Sequence, residues 1–311
     1  MFRLAHISDP HLAGWARPGP GRLLNKRFFG YLSWRLRREA VHLVPILDAT
    51  IAALKAAEPD HIVITGDIVN IALPDEFAGA TRWLEGIGSP HDVTVIPGNH
   101  DAYIPVPWSD TIGQWAAYMG DASRVCDGPD AFPFVRMRDG VALVGVSSAC
   151  PMPVTSAGGR LGTAQLERLR KQLVELGQQG LFRVLLIHHP PFADPRHRRK
   201  ELIDAAELQT VLAEAGVELV LHGHTHISSL NRISTPDGSA PVIGVASASA
   251  RAWKRKDAAR FHLYEIRHGD GGWQLQVEVR MWTPSHKDFE RIGRFRLAVP
   301  MARAEATPAA A

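Results

Sequence analysis

The stretch ISDPHL, Ile7 to Leu12, closes an apolar run, Phe2 to Ala5, that only Arg3 interrupts. A strand that continued would send Asp9 and His11 to one face, but Pro10 cannot donate to a sheet ladder, so the strand is expected to stop here. An acid and an imidazole are then held at a strand's carboxyl edge, where open α/β sheets bind ligands.

Working outward, short β-rich runs bounded by polar, Gly or Pro signals recur at Arg3 to Ser8, His61 to Thr65, Asp92 to Ile96, Val141 to Ser147, Phe182 to His188 and Leu219 to His222. Between them, Ala40 to Ala57, Pro74 to Gly86, Trp108 to Met119, Thr163 to Leu176 and Ala205 to Ala215 carry apolar residues at helical spacing. Such alternation predicts an α/β architecture. After His226 strands follow without helices, at Leu230 to Ser234, Pro241 to Ala246, Arg260 to Arg267 and Trp273 to Trp282. A second, largely antiparallel sheet is the expectation there. No repeat or long linker divides the chain, so residues 1–300 read as one domain and the alanine-rich 301–311 as a frayed tail.

The predicted strand ends carry the chemistry. After ISDPHL come TGDIVN with Gly66 and Asp67, PGNHD with Asn99, His100 and Asp101, LLIHHPPF with His188 and His189, and LHGHTH with His224 and His226. All five should open onto one sheet edge. Asp9, His11, Asp67, Asn99, His188, His224 and His226 offer only oxygen and nitrogen donors, a set suited to Mn, Fe or Zn rather than Ca or Mg. Seven ligands exceed what one ion takes. If Asp67 bridges two ions, each receives four protein ligands and keeps positions open, the layout of two-metal hydrolysis. Gly66, Gly98 and Gly223 each precede a polar cluster at a sharp turn where a side chain would crowd the ions.

Composition excludes some classes. The 311 residues are 45% hydrophobic and 22% charged with net charge +3, an ordinary soluble chain without the strong basic excess of a polyanion binder. Cys126 and Cys150 lack metal or redox spacing and read as two core thiols of a reducing compartment. No apolar run nears the roughly 20 residues of a membrane span, so a cytoplasmic location is expected.

The ordered set D-x-H, G-D, G-N-H-D, H-H-P-P and G-H-T-H resembles the calcineurin-like metallophosphoesterase superfamily, most of all its bacterial cyclic-nucleotide and glycerophosphodiester phosphodiesterases. The resemblance implies a four-layer αββα sandwich. It implies Asp9, His11, Asp67 and His226 around one metal, Asp67, Asn99, His188 and His224 around the other, and His100 touching the scissile phosphate. His100 could donate a hydrogen bond to phosphate or a proton to the departing oxygen. Asp101 either orients that imidazole or caps a turn. His189 and His222 could serve as second-layer partners or as packing, while His6, His61 and His42 read as structural or surface residues.

One segment departs from a minimal fold. Between His11 and the first long helix, residues 13–38 form an insertion with Leu24, Phe28, Leu32 and Leu36 at helical spacing and Arg27, Arg35 and Arg38 among them. It is expected to be an amphipathic helical hairpin or cap, either packed as a lid or meeting an anionic membrane surface. The runs Arg196 to Lys200 and Trp253 to Lys256 add bases. Three functions compete: hydrolysis of a small phosphodiester, cleavage of a lipid-linked phosphoester or pyrophosphate, and a non-catalytic scaffold or nucleic-acid-binding role. The last is disfavoured by the complete ligand set and by the lack of an aromatic-interleaved basic groove, so no specific nucleic acid is expected as partner. A homodimer is left open.

Overall fold

The structure, a computed structural model, describes residues 1–13, 18–121, 124–192, 198–252, 257–269 and 272–300. The tail 301–311, the run Trp253 to Lys256, Arg196 and His197, and residues 14–17 of the insertion therefore lie outside the described residues.

In chain order the strands are β1 (Phe2–Ile7), β2 (His61–Ile64), β3 (Val93–Val95), β4 (Gly120–Asp121), β5 (Arg124–Val125), β6 (Phe134–Arg138), β7 (Val141–Gly145), β8 (Phe182–Leu186), β9 (Leu219–His222), β10 (Ser229–Thr235), β11 (Gly238–Gly244), β12 (Arg260–Gly269), β13 (Gly272–Thr283) and β14 (Asp288–Leu297). The α-helices are α1 (Arg27–Ser33), α2 (Val44–Ala56), α3 (Pro74–Ile87), α4 (Thr163–Gln178) and α5 (Ala205–Ala215).

Two six-stranded sheets stack on one another, in the orders β14-β13-β12-β1-β2-β3 and β10-β11-β9-β8-β7-β6. In the first, β1, β2 and β3 run parallel, with Leu4 opposite His61 and Ile62 opposite Val93. In the second, β7, β8, β9 and β11 run parallel. The alternation of side chains along a strand separates the layers. Val184, Leu186, Leu219 and Leu221 point into the core shared with Leu4, Val63 and Leu263 of the first sheet. Leu185, Ile187 and Val220 point the other way, onto Leu169 and Leu173 of α4 and Leu208, Val211 and Leu212 of α5. Helices α2 and α3 cover the first sheet's side, burying Leu47, Leu54, Phe77 and Leu84 in the shared core. The layers run helix, sheet, sheet, helix, as the resemblance implied.

Local signals explain the helix ends. Pro74 opens α3, where its missing N–H costs nothing, and the Glu76 carboxylate returns to the Leu73 amide at 2.9 Å. Gly216, at φ 81°, ends α5 in the left-handed conformation that a Cβ disfavours.

Three expectations are corrected. The strands after His226 do not form a sheet of their own: β10 and β11 extend the second sheet, and β12, β13 and β14 extend the first. The apolar stretch 108–119 folds as 3-10 turns, Trp108–Asp110 and Ile112–Tyr118, broken at Thr111, whose backbone is non-helical. Among its described residues the insertion contains one 3-10 turn, Pro20–Leu23, and α1 followed by a π-helical turn, Trp34–Arg38, a cap and not a hairpin. Edge strands β6 and β14 escaped the sequence reading because β14 alternates weakly and is mostly exposed, a pattern close to that of a loop. Cys126 is buried, but Cys150 is only half-buried, beside the insertion, and neither forms a disulfide.

Candidate metal centre

The five polar clusters follow β1, β2, β3, β8 and β9, so they come from both sheets and meet at one end of the sandwich. A parallel bridge between Ser8 and Ser247 joins the sheets there, and the Ser247 hydroxyl donates to the Asp9 carbonyl at 2.7 Å. The Asp9 amide donates to the Gly66 carbonyl at 3.0 Å and the His11 amide to the Asp67 carbonyl at 3.1 Å. The strand ends are thereby tied together before any side chain is considered.

Five of the seven predicted ligands have left-handed backbones: Asp9 (φ 52°), His11 (φ 43°), Asp67 (φ 57°), His224 (φ 68°) and His226 (φ 56°). Such conformations cost non-glycine residues of order 1–3 kcal/mol each and persist where surrounding structure imposes them. Close approach explains two glycines. A Cβ on Gly98 would run into the Asp67 carboxylate and amide, and one on Gly223 into the Ser8 hydroxyl and Asp9 Oδ2.

The side chains converge. Asp67 Oδ2 lies 3.7 Å from His11 Nε2 on one side and 3.4 Å from His188 Nε2 on the other. On the first side, His226 Nε2 is 3.1 Å from Asp9 Oδ1 and 3.3 Å from His11 Nε2. On the second, Asn99 Oδ1 is 3.2 Å from His188 Nε2. Ligands bound at about 2.0–2.2 Å to one ion stand about 3–4 Å apart, so these spacings suit shared coordination. Two of these imidazoles use the ring nitrogen that faces away: His188 Nδ1 donates to the Thr65 carbonyl at 2.6 Å and His224 Nε2 to the Lys200 carbonyl at 3.1 Å. Partners of this kind fix the orientation of ligating imidazoles.

Electrostatics favour a cation. Burial holds the His11 and His224 imidazoles well below their usual pKa, in the neutral form that ligates. Burial would lower His188 too, but the Asp67 and Asp9 carboxylates outweigh it and hold its proton up to about 9. The pocket retains a proton where a divalent ion would satisfy the same charge. Asp9 Oδ1, although fully buried, accepts no well-formed hydrogen bond. Donor chemistry, glycine cradles and an unsatisfied carboxylate oxygen all fit a metal centre.

The GNHD residues divide. The His100 amide donates to Asp67 Oδ1 at 2.7 Å. Its ring Nδ1 lies 2.5 Å from the Asn70 carbonyl, which can only accept, so Nδ1 carries the proton, and the Arg38 guanidinium stands against the ring, 2.7 Å from Nε2 and 3.1 Å from Nδ1. His100 therefore has no N–H left to offer a phosphate in this geometry, and burial beside Arg38 lowers its pKa to about 3. Asp101 does not serve as the orienting partner of that imidazole. Its carboxylate accepts from the amides of Asp67, Ile68, Val69 and Gly98 at 2.8–3.0 Å, an anchor for two metal-binding loops.

Two residues at the site were not placed there by the sequence. His42 is buried, with its ring 4.6 Å from that of His11 and its Nδ1 2.8 Å from the Ser249 hydroxyl. Arg38, noted only as a basic residue of the insertion, lines with Asp67, Asn99, His224, His226 and Lys200 a cavity of about 240 Å³. Neither belongs to a strand-end motif. His189 is held at both ring nitrogens, by the Ser148 hydroxyl at 2.8 Å and the Ala157 carbonyl at 3.2 Å, and packs against His224. His6 and His61 pair with the hydroxyls of Thr65 and Thr94 away from the ligands, and His222 Nδ1 bonds the Gly223 carbonyl.

The family model for calcineurin-like phosphoesterases matches residues 2–228. A probable cyclic nucleotide phosphodiesterase of Rhodococcus erythropolis is 28% identical over 230 residues, 73% of this chain and 65% of the relative. One from Synechococcus sp. is 25% identical over 236 residues, 75% of this chain and 82% of the relative. The matched region thus spans less than two thirds of the Rhodococcus protein. Among solved structures, a dimetal phosphatase from Danio rerio superposes with a TM-score of 0.61 at 15% identity, covering 96% of this chain and 98% of that one. At that identity the likeness concerns the fold.

Proposed function

The chain belongs to the calcineurin-like phosphoesterase family, and from that premise we propose that it is a metal-dependent phosphodiesterase that holds two transition-metal ions, of Mn, Fe or Zn type, and hydrolyses a small phosphodiester. The observation that carries the reading is a single atom, Asp67 Oδ2, flanked by His11 Nε2 at 3.7 Å and His188 Nε2 at 3.4 Å. One carboxylate oxygen between two imidazoles supports a bridging role for Asp67. Asp9, His11, Asp67 and His226 would hold one ion, and Asp67, Asn99, His188 and His224 the other. When bound, the ions supply Lewis acidity toward the phosphate oxygens and toward the attacking water.

The chain's own residues supply the rest. Arg38 presents a guanidinium at the wall of the ligand cavity, and a guanidinium suits the oxygens of a phosphate through paired N–H donors. His100, anchored to Asn70, holds Arg38 in place by packing its ring against the guanidinium. It acts as a positioning residue for that cation instead of as a proton donor. Asp101 fixes the loops that carry Asp67 and Asn99. Lys200 lines the same cavity and adds a second positive charge against an anionic substrate. A diester carries one negative charge and two substituents. The ligand cavity adjoins a chamber of about 310 Å³ that shares Arg38, Asn99, His100, Ala157 and Lys200 with it, and the chamber can receive one of those substituents.

Metal-reconstituted protein should bind two ions per chain and hydrolyse bis(p-nitrophenyl) phosphate faster than p-nitrophenyl phosphate. Asp67→Ala should lower the metal content of both half-sites and the rate by more than about 100-fold, because a bridging ligand matters more than the partners that orient ligands. Elemental analysis and steady-state rates check this. A plateau at one ion with all ligands intact, or a preference for the monoester, would sink the reading.

A further inference from the structure

The insertion turns its apolar residues outward. Leu24, Phe28, Phe29, Leu32 and Leu36 are 86%, 49%, 55%, 44% and 72% exposed, while Arg27, Gly30 and Trp34 of the same segment are buried. Phe28, Leu32 and Leu36 lie four residues apart and so form one line along α1 and the turn that continues it. We propose that this face docks the protein on an anionic lipid bilayer, with Phe28, Leu32 and Leu36 entering the interface and Arg35 and Arg37 meeting lipid phosphates.

Charge selects that occupant. Residues 18–38 contain six Lys or Arg and no Asp or Glu. Of these, Arg22, Arg35 and Arg37 are exposed. Arg22 pairs with Asp75 and Arg35 with Glu39, each at 2.9 Å and half open to solvent, contacts weak enough to give way to a denser anionic surface. A second copy of this chain would bring the same bases face to face across a twofold axis, so self-association on this face is disfavoured. A line of long apolar side chains flanked by bases is the pattern of a helix lying in a membrane interface. Among the described residues no helix is long and apolar enough to cross a bilayer, so the contact lies on the surface.

The face also borders the route to the metals. Phe29 lines the chamber that contains Lys26, Arg38 and His100, and Arg37 lines the ligand cavity itself. Docking would therefore place the mouth of the site at the lipid surface.

Flotation of the metal-loaded protein with vesicles tests the proposal without reference to catalysis, so its failure is distinguishable from failure of the phosphodiesterase reading. The protein should float with vesicles of phosphatidylcholine and phosphatidylglycerol, much less with phosphatidylcholine alone, and less at raised salt. Phe28→Asp with Leu32→Asp and Leu36→Asp should lower the bound fraction by about tenfold or more, with bis(p-nitrophenyl) phosphate hydrolysis and metal content retained. If that variant fails to fold, Leu36→Asp alone, at a residue 72% exposed, should still weaken binding severalfold. A wild-type protein that stays in the lipid-free fraction overturns the proposal. So does a variant that floats as well as wild type, or a concentration-dependent dimer that the variant abolishes with no vesicle binding in either protein.

Discussion

Helix α4 and the insertion carry the same sequence signal and bury it in opposite ways. In α4, Leu166, Leu169, Leu173 and Leu176 recur at helical spacing and are all buried, against the outer face of the second sheet. In the insertion, Leu24, Phe28, Leu32 and Leu36 recur every four residues and are all exposed. The difference lies in what sits on the opposite face. The exposed side of α4 carries Glu167, Arg170, Lys171 and Glu175. The insertion's other side carries Arg27, whose guanidinium donates to the Ile71 carbonyl at 3.0 Å and to the Ala72 carbonyl. It also carries Gly30, against Ile71 and Tyr103, and Lys26, which donates to the Met152 carbonyl at 2.9 Å and stands over the Tyr103 ring. The neighbouring loops offer the insertion the carbonyls of Ile71, Ala72 and Met152. A segment that covers them packs through donors, and its apolar line is left outside. Periodicity thus defines a face without saying what covers it.

The comparison breaks most sharply at Leu169, which is fully buried. Leu169→Ala should cost about 2–5 kcal/mol of stability through lost burial and a residual cavity, read from the urea midpoint. A loss below 1 kcal/mol, on the order of a surface change, would show that α4 is not pressed on the sheet as described. An intermediate effect is expected at the insertion's inner face. Arg38→Ala should lower kcat/KM on bis(p-nitrophenyl) phosphate by about tenfold, close to 1.4 kcal/mol, while metal content and thermal midpoint stay near wild type. A loss of bound metal would instead make Arg38 a support of the ligand loops. The smallest effect belongs to the outer face: Leu36→Gln should change stability by less than about 0.5 kcal/mol by the same urea titration. A large loss there would mean that Leu36 is covered in the folded protein and that the two helices are alike.

Much of the site was legible because its residues follow strands that announce themselves. HIVIT before Gly66 and VLLI before His188 are apolar runs too short and too β-rich to be helices, and each ends in a polar cluster. Parallel strands carry successive carboxyl ends to one edge, so the seven ligand candidates could be grouped without coordinates. The roles of neighbouring residues were not legible in the same way. His100 and Asp101 adjoin a ligand candidate in sequence, yet their side chains are committed to Asn70, to Arg38 and to four backbone amides, partners that lie 3 to 62 positions away. His42 and Arg38 carry no motif, and only folding places one against His11 and the other against His100.

By itself the sequence determined the alternation of strands and helices, the glycines that let loops approach the ligands, and the ordered donor set. Each depends on local chain stiffness, side-chain volume or donor chemistry, which a few adjacent residues define. Tertiary structure alone decided that the C-terminal strands would extend both sheets, that Asp67 would stand between two imidazoles, and that the insertion would bury its arginine and expose its leucines. Those outcomes depend on which unsatisfied carbonyls, carboxylates and apolar surfaces meet after the chain has closed loops of tens to hundreds of residues. No short window contains both partners of such a contact.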